Sequence, residues 1–166
     1  MTFSKREAAM SNLRFEDVKV GDELRPLDKG RITRLHLMRW SAATENWHRI
    51  HYDERFTIEH DKLPGLLING SLKQNFILQL LKDWAGEGGW VWKVSFQFRA
   101  MDVVDSTLSV WARVTGAQRL ADFGLIELEL GIKNSEGRES TPGRATVALP
   151  YRDGAPLPYP FFVKLS

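Results

Sequence analysis

The apolar residues of this chain change their spacing abruptly at a break that contains Gly86, Gly88 and Gly89. Before the break, apolar residues recur every three or four positions over Leu72–Trp84, which predicts one long, largely buried helix. After it, they recur at every second position, which predicts half-buried strands over 90–100, 108–114, 126–132 and 145–149. Consecutive strands joined by short links are antiparallel, and one helix packed on such a sheet is an α+β arrangement.

The residues before the long helix give a weaker pattern. Branched residues alternate over Ile32–Met38, which predicts a strand, although both of its faces carry apolar side chains. Ser41 is a favourable N-cap residue, so a short helix is expected to follow it to about Trp47. We expect one domain over residues 1–166, because a domain has about 150 residues. A loose N-terminal arm over 1–13 and an extended, proline-rich tail over 150–166 are expected to flank it.

Composition excludes several classes of protein. The net charge of +2 is too small to predict binding to nucleic acid or to a membrane surface. The chain has no cysteine, so disulfides, zinc–thiolate sites and thiol nucleophiles are excluded. No apolar run approaches the ~20 residues that span a bilayer, and the N-terminus does not resemble a secretion signal. We therefore expect a soluble, cytoplasmic protein.

Side chains that can take part in catalysis or metal binding are densest over residues 45–53, which hold two of the four histidines. His48 and His51 are three positions apart, and Asn46 precedes His51 by five. Imidazole is the usual general acid or base near neutral pH, whereas an amide can orient water but cannot take its proton. Structural histidines are the simpler interpretation. A zinc site with Asp53 as a third ligand is a weaker alternative, because no strong zinc motif is present and no metal is expected.

A second candidate site is Asn69-Gly70-Ser71, at the start of the long helix. The first turn of a helix carries unpaired N–H groups, and a glycine there allows a ligand to approach the backbone. Such a place can hold a carbonyl oxygen that gains charge in a transition state. Capping by Asn69 or Ser71 is the simpler alternative. Four basic side chains are candidates to meet the phosphates of a cofactor tail, with solvated charge as the alternative: Arg99, Lys93, Lys73 and Lys62.

The run Asn46–Asp53, N-W-H-R-I-H-Y-D, resembles the motif of MaoC-like acyl dehydratases, the family of (R)-specific enoyl-CoA hydratases. It is most similar to the branch with hydroxyacyl-thioester dehydratases and mesaconyl-CoA hydratases. Segments 15–24, 66–72 and 104–108 resemble further parts of that family in the same order. The resemblance spans about residues 13–150. It implies a hot-dog fold, in which an antiparallel sheet wraps around one long central helix.

The resemblance also implies an activity, the reversible addition of water across the 2,3-double bond of an acyl thioester. Coenzyme A or acyl carrier protein would be part of the substrate, with no other cofactor. By this resemblance His51 and Asn46 are the catalytic residues, although the family usually has Asp where Asn46 stands. His51 would then carry the proton, while the Gly70 N–H holds the thioester oxygen. The remaining predicted substrate-binding residues are Trp47, His48, Asn69, Ser71 and Arg99.

The partners implied are the thioester and a second hot-dog subunit, in either a homodimer or a heterodimer. Because Asn46 replaces an acid, a non-catalytic or half-active subunit that pairs with a catalytic partner is an alternative function. A thioesterase on the same fold is less favoured, since Leu72–Leu81 has no carboxylate to face the thioester carbon. A ligand-binding module is the last alternative.

Overall fold

Five antiparallel strands form one sheet in the order β1-β3-β4-β5-β2. The computed structural model describes residues 13–161, so nearly all of the predicted N-terminal arm lies outside the described residues. Short helical turns occupy Phe15–Asp17, Arg49–His51 and Phe56–His60. The longer elements are β1 (Leu27–Arg31), α1 (Arg34–Ala43), α2 (Gly70–Ala85), β2 (Trp90–Phe96), β3 (Thr107–Arg119), β4 (Phe123–Asn134) and β5 (Gly143–Pro150).

The long helix predicted from apolar spacing is α2, and it forms the centre of the core. Its apolar side chains are buried against the sheet, and Ile77 and Leu81 are fully enclosed. The helix ends at Gly86, which has a φ of 67° and donates its N–H to Lys82 O at 3.0 Å. Glycine adopts this backbone conformation without a steric penalty. A single long helix held by an antiparallel sheet is the predicted α+β, hot-dog arrangement.

The four predicted strands after α2 are confirmed, and one of them is shorter than expected. In β4, Leu128 and Leu130 are buried while Glu127 is exposed, as the alternation predicts. Regular pairing in β2 ends at Phe96 rather than at residue 100. Its neighbour β5 begins only after Pro142, which has no N–H to donate to a ladder.

The strand predicted over Ile32–Met38 is wrong, because most of this segment belongs to helix α1. The helix begins with a reciprocal cap, in which Thr33 N–H donates to His36 Nδ1 at 3.0 Å. Leu37 and Ser41 are four residues apart and both fully buried, so burial follows the helical period. The prediction that Ser41 starts a helix is also wrong, since Ser41 lies within the last turn of α1.

The predicted tail begins inside a strand, because Pro150 is the last residue of β5. The next residue, Tyr151, packs its ring edge-on against Phe15 with centroids 5.6 Å apart. Its hydroxyl lies 2.7 Å from Leu120 O and 2.8 Å from Phe123 O. The start of the tail is therefore attached to the sheet. No helix within residues 13–161 is long and apolar enough to cross a membrane.

Candidate active site

His51 is the most constrained of the predicted site residues. It ends the Arg49–His51 turn and is only 8% exposed. Its Nδ1 lies 2.8 Å from Leu67 O, and Leu67 N–H donates to Ile50 O at 2.9 Å. Because a carbonyl oxygen can only accept, the neutral ring carries its proton on Nδ1. The lone pair is then on Nε2, where it can accept a proton from a bound molecule.

The surroundings of His51 keep this imidazole neutral at physiological pH. Burial lowers the pKa of His51, and the nearby charge of His48 lowers it further, while the hydrogen bond to the Leu67 carbonyl raises it in part. The two histidine rings have centroids 6.1 Å apart. The resulting pKa lies below the ordinary histidine value of about 6.5.

We expect a proton NMR titration to place the pKa of His51 below the ordinary histidine value of about 6.5. His48→Gln is expected to raise the pKa of His51, because the substitution removes the second positive charge. Since the unfolded chain binds this proton more readily, His51 lowers the free energy of unfolding as pH falls below about 6.5. An unchanged His51 titration in His48→Gln would contradict the assigned coupling.

Asn46 follows the end of α1 and is half-buried. Glu45, with a φ of 52°, reverses the chain just before it. The Asn46 N–H donates to Ser41 O at 2.9 Å, and its Oδ1 accepts from His48 N–H at 3.2 Å. Asn46 can therefore hold a bound molecule through its Nδ2 donors and the remaining lone pair of its oxygen, but an amide cannot take a proton from it. The helix predicted to continue to Trp47 is wrong, since α1 ends at Ala43.

The first turn of α2 has free backbone donors. Neither Asn69 nor Ser71 caps it with a side chain, so the capping alternative does not describe this helix. Ser71 Oγ instead accepts from Trp40 Nε1 at 2.8 Å. Within residues 13–161, the N–H groups of Gly70 and Ser71 have no hydrogen-bond acceptor. They carry the positive end of the helix dipole and suit a developing oxyanion.

Ser41 joins the two candidate sites predicted from the sequence. Its carbonyl binds the Asn46 N–H, while its Oγ accepts from Asn69 Nδ2 at 3.3 Å. Asn69 is fully buried, and its Oδ1 has no partner among the described residues. Together with the His51–Leu67 hydrogen bond, this contact attaches both Asn46 and His51 to the residues that lead into α2.

Gly70 lies close to an aromatic ring. A Cβ placed there would lie 2.9 Å from Cε2 and Cζ of Phe98. The Phe98 ring is 53% exposed, so it borders the first turn of α2 at the surface. Sequence patterns did not identify Phe98 because its alternation with Phe96 indicates only a strand.

Lys73 lies inside the protein and is not a phosphate-binding side chain. Its Nζ contacts Asp102 Oδ2 at 2.8 Å, and the two side chains are only 4% and 5% exposed. The Asp102 carbonyl accepts from Ile68 N–H at 2.8 Å, next to Leu67. The ion pair therefore supports the segment that holds His51. No sequence pattern indicates this ion pair, because the two residues are 29 positions apart and follow no motif.

The other predicted site residues are more exposed. Trp47 is 57% exposed, and its carbonyl accepts from the Tyr52 hydroxyl at 3.0 Å. His48 is also exposed but lies beside His51. Arg99 lines a separate cavity of about 520 Å³, together with Trp111, and that cavity contains none of the other predicted site residues.

The zinc interpretation fails on the geometry of Asp53. Its Oδ2 accepts from Arg49 Nη2 at 2.8 Å, and its Oδ1 accepts from Phe56 N–H at 3.0 Å. The Arg49 guanidinium and the Phe56 N–H hold the pKa of this carboxyl below its usual range. Among residues 13–161, no three histidine, aspartate or glutamate side chains form a group that could hold a metal ion.

Comparison with known proteins identifies one family and one fold. A family model described as hydroxyacyl-thioester dehydratase type 2 matches residues 6–106, which include both candidate sites. No curated protein sequence matches the chain. Many solved structures do.

Three of these structures share the fold at low sequence identity. The (R)-hydratase from A. caviae involved in PHA biosynthesis is 23% identical, with a TM-score of 0.71 over 81% of this chain and 99% of its own. R-hydratase PhaJ1 from Pseudomonas aeruginosa is 16% identical, with a TM-score of 0.72 over 93% and 97%. The ChsH1-ChsH2 complex from Mycobacterium tuberculosis gives a TM-score of 0.68 at 16% identity, over 80% and 98%.

Proposed function

Since the chain belongs to the hydroxyacyl-thioester dehydratase type 2 family, as its resemblance to MaoC-like dehydratases predicts, we propose that it adds water to, or removes it from, the 2,3-double bond of an acyl thioester. One observation carries the proposal. A buried histidine with a free Nε2 lone pair is attached, through Leu67, to a helix start with two free amides.

The backbone amides of Gly70 and Ser71 bind the thioester carbonyl oxygen in this proposal. Hydrogen bonds at that oxygen draw electron density from the conjugated double bond and stabilise the enolate that forms on hydration. Gly70 suits this role, because a side chain there would compete for space with Phe98. Donors fixed by a helix need no reorganisation during the reaction.

His51 is the proton carrier. As the water oxygen bonds to C3, His51 Nε2 takes one water proton, and the π electrons move to form the enolate. The same proton then passes from Nε2 to C2, the carbonyl re-forms and His51 is neutral again. The Nδ2 group of Asn46 donates to the attacking water and orients it. Dehydration follows the same steps in reverse.

The substrate is an acyl group on coenzyme A or acyl carrier protein, and no separate cofactor enters the proposed reaction. The solved relatives support this class, since two of them are described as (R)-hydratases. Assembly as a dimer of hot-dog subunits is part of the proposal, and the similarity to the ChsH1-ChsH2 complex supports such pairing.

The direct test is the loss of enoyl-thioester ultraviolet absorbance when the purified protein is mixed with 2-enoyl-CoA substrates. The panel includes short, branched and aromatic acyl groups. Turnover of at least one member by the protein alone is expected. No turnover from a folded dimer would exclude a self-sufficient hydratase.

A half-active subunit is a second candidate, and the amide of Asn46 favours it. The Asn46 oxygen accepts from the His48 N–H, and neither the oxygen nor the nitrogen of an amide takes a proton from water near neutral pH. A catalytic partner subunit would then supply an acid at the corresponding position. Co-purification from the native source distinguishes the two candidates, because the half-active subunit is expected to elute with a second, related chain.

Asn46→Asp is expected to raise kcat by about tenfold or more, since a second acceptor for the proton contributes up to ~10²–10⁴ in general acid–base catalysis. The new carboxylate keeps an oxygen for the His48 N–H and presents the other to water. Steady-state hydration kinetics measure the effect. Asn75→Asp, at an exposed position of α2, is the matched control and should leave kcat unchanged. A loss of activity in Asn46→Asp would contradict the assigned role.

A further inference from the structure

A cavity of about 410 Å³ lies between α1 and α2. Its apolar wall includes Ile32 and Trp40 on one side and Leu72 and Phe76 on the other. Ile32, Leu72 and Phe76 are among the buried residues of the core. This volume is within the range of small-molecule sites, which are about 300–1,000 Å³. The wall suits a hydrocarbon chain.

The cavity begins next to the proposed reaction centre. Trp40 Nε1 donates to Ser71 Oγ at 2.8 Å, and Ser71 follows Gly70 directly. An acyl chain whose carbonyl is bound at Gly70 can therefore continue along α2 past Leu72 to Phe76. Six residues of helix cover about 9 Å. That length corresponds to about seven carbon–carbon bonds of an extended chain, because each bond of roughly 1.5 Å advances the zigzag by roughly 1.25 Å.

Basic side chains line part of the cavity. They are Lys29, His36 and Arg39, and none of the described lining residues is a carboxylate. Lys29 Nζ lies 4.7 Å from the Phe76 ring centroid and donates to Gln79 Oε1, which leaves further N–H donors on the ammonium. Arg39 makes no hydrogen bond or ion pair with any residue between 13 and 161.

We infer that this cavity binds the distal part of the acyl group, and that the preferred acyl group ends in a carboxylate. The inference rests on the proposed function for the position of the thioester. Apolar burial favours the chain, while the guanidinium of Arg39 and the ammonium of Lys29 donate charge-assisted hydrogen bonds to the terminal anion. The substrate class is a medium-chain 2-enoyl thioester with a terminal carboxylate.

The test compares two thioesters of equal length, 2-octenoyl-CoA and the CoA monothioester of 2-octenedioic acid. We expect kcat/KM to be about tenfold or more higher for the carboxylated substrate, because a hydrogen bond to a charged group contributes about 1.5–3 kcal/mol. Arg39→Gln should remove most of this preference, because it is expected to lower kcat/KM about tenfold more for the carboxylated substrate than for 2-octenoyl-CoA. The control Arg55→Gln alters a surface ion pair with Glu59 outside the cavity and should preserve the preference.

Equal turnover of both substrates, or an equal loss for both in Arg39→Gln, would overturn the inference while leaving the proposed function intact. If neither substrate is turned over, the proposed function fails and calorimetry decides the inference separately. The saturated pair, octanoyl-CoA and the monothioester of octanedioic acid, is then compared. About tenfold tighter binding of the acid, dependent on Arg39, supports the inference; equal dissociation constants overturn it.

Discussion

His51→Ala is expected to lower hydration kcat by about 10²–10⁴, the range that general acid–base catalysis contributes. In the proposed mechanism the His51 imidazole is the base, and its removal leaves the attacking water without a group that takes its proton. The free amides of Gly70 and Ser71 remain, so the KM for the thioester should change little. Initial rates of enoyl absorbance loss, measured over a range of substrate concentrations, give kcat and KM separately.

Added imidazole distinguishes a chemical role of His51 from a structural one. The substitution opens space at a buried position, and free imidazole in that space is expected to restore part of kcat. His60→Ala is the matched control, because His60 is exposed and stacks on Phe56. Full activity of a folded His51→Ala protein would contradict the proposed mechanism.

Lys73→Met is expected to lower the free energy of unfolding by about 3–5 kcal/mol, because it leaves the buried Asp102 carboxylate without its partner. Burial of an unpaired charge costs several kcal/mol, whereas the apolar part of the new side chain still fills the site. Urea denaturation followed by circular dichroism measures the change. Lys82→Met, at an exposed position of the same helix, should alter stability by less than about 0.5 kcal/mol.

The double variant Lys73→Met/Asp102→Leu separates charge from packing. When both charges are replaced by apolar groups of similar size, stability is expected to return to near that of the parent protein, because such replacements are often neutral. A double variant as unstable as Lys73→Met alone would show that shape, rather than the unpaired carboxylate, dominates the cost.

The elements predicted best are those with a regular spacing of apolar residues within their own stretch of sequence. Helix α2 was recognised because its apolar period is long and ends at Gly86. A strand was wrongly predicted over Ile32–Met38 because both the odd and the even positions carry apolar residues, so the alternation there does not distinguish a strand from a helix. What decides its helical state is the reciprocal cap between Thr33 and His36, which depends on backbone geometry rather than on hydrophobic period.

The candidate site was predicted in its parts but not in its connections. His51 and Asn46 were identifiable from their chemistry and from a family motif. Their attachment to α2 depends on Ser41 and Leu67, whose backbone oxygens carry no signal in the sequence. The sequence around Lys73 likewise does not distinguish this buried lysine from a solvated one, because its partner Asp102 is 29 positions away.

The partner of His51 Nδ1 has a consequence for the lifetime of the protonated ring. A carboxylate in that position would stabilise an imidazolium, as in a catalytic triad. Here burial disfavours the charged ring, and the partner is the neutral carbonyl of Leu67, which offsets that effect only in part. In the proposed reaction, a proton on Nε2 is therefore held less tightly than in a catalytic triad. We expect the charged histidine to be short-lived, with proton delivery to carbon following soon after proton removal from water.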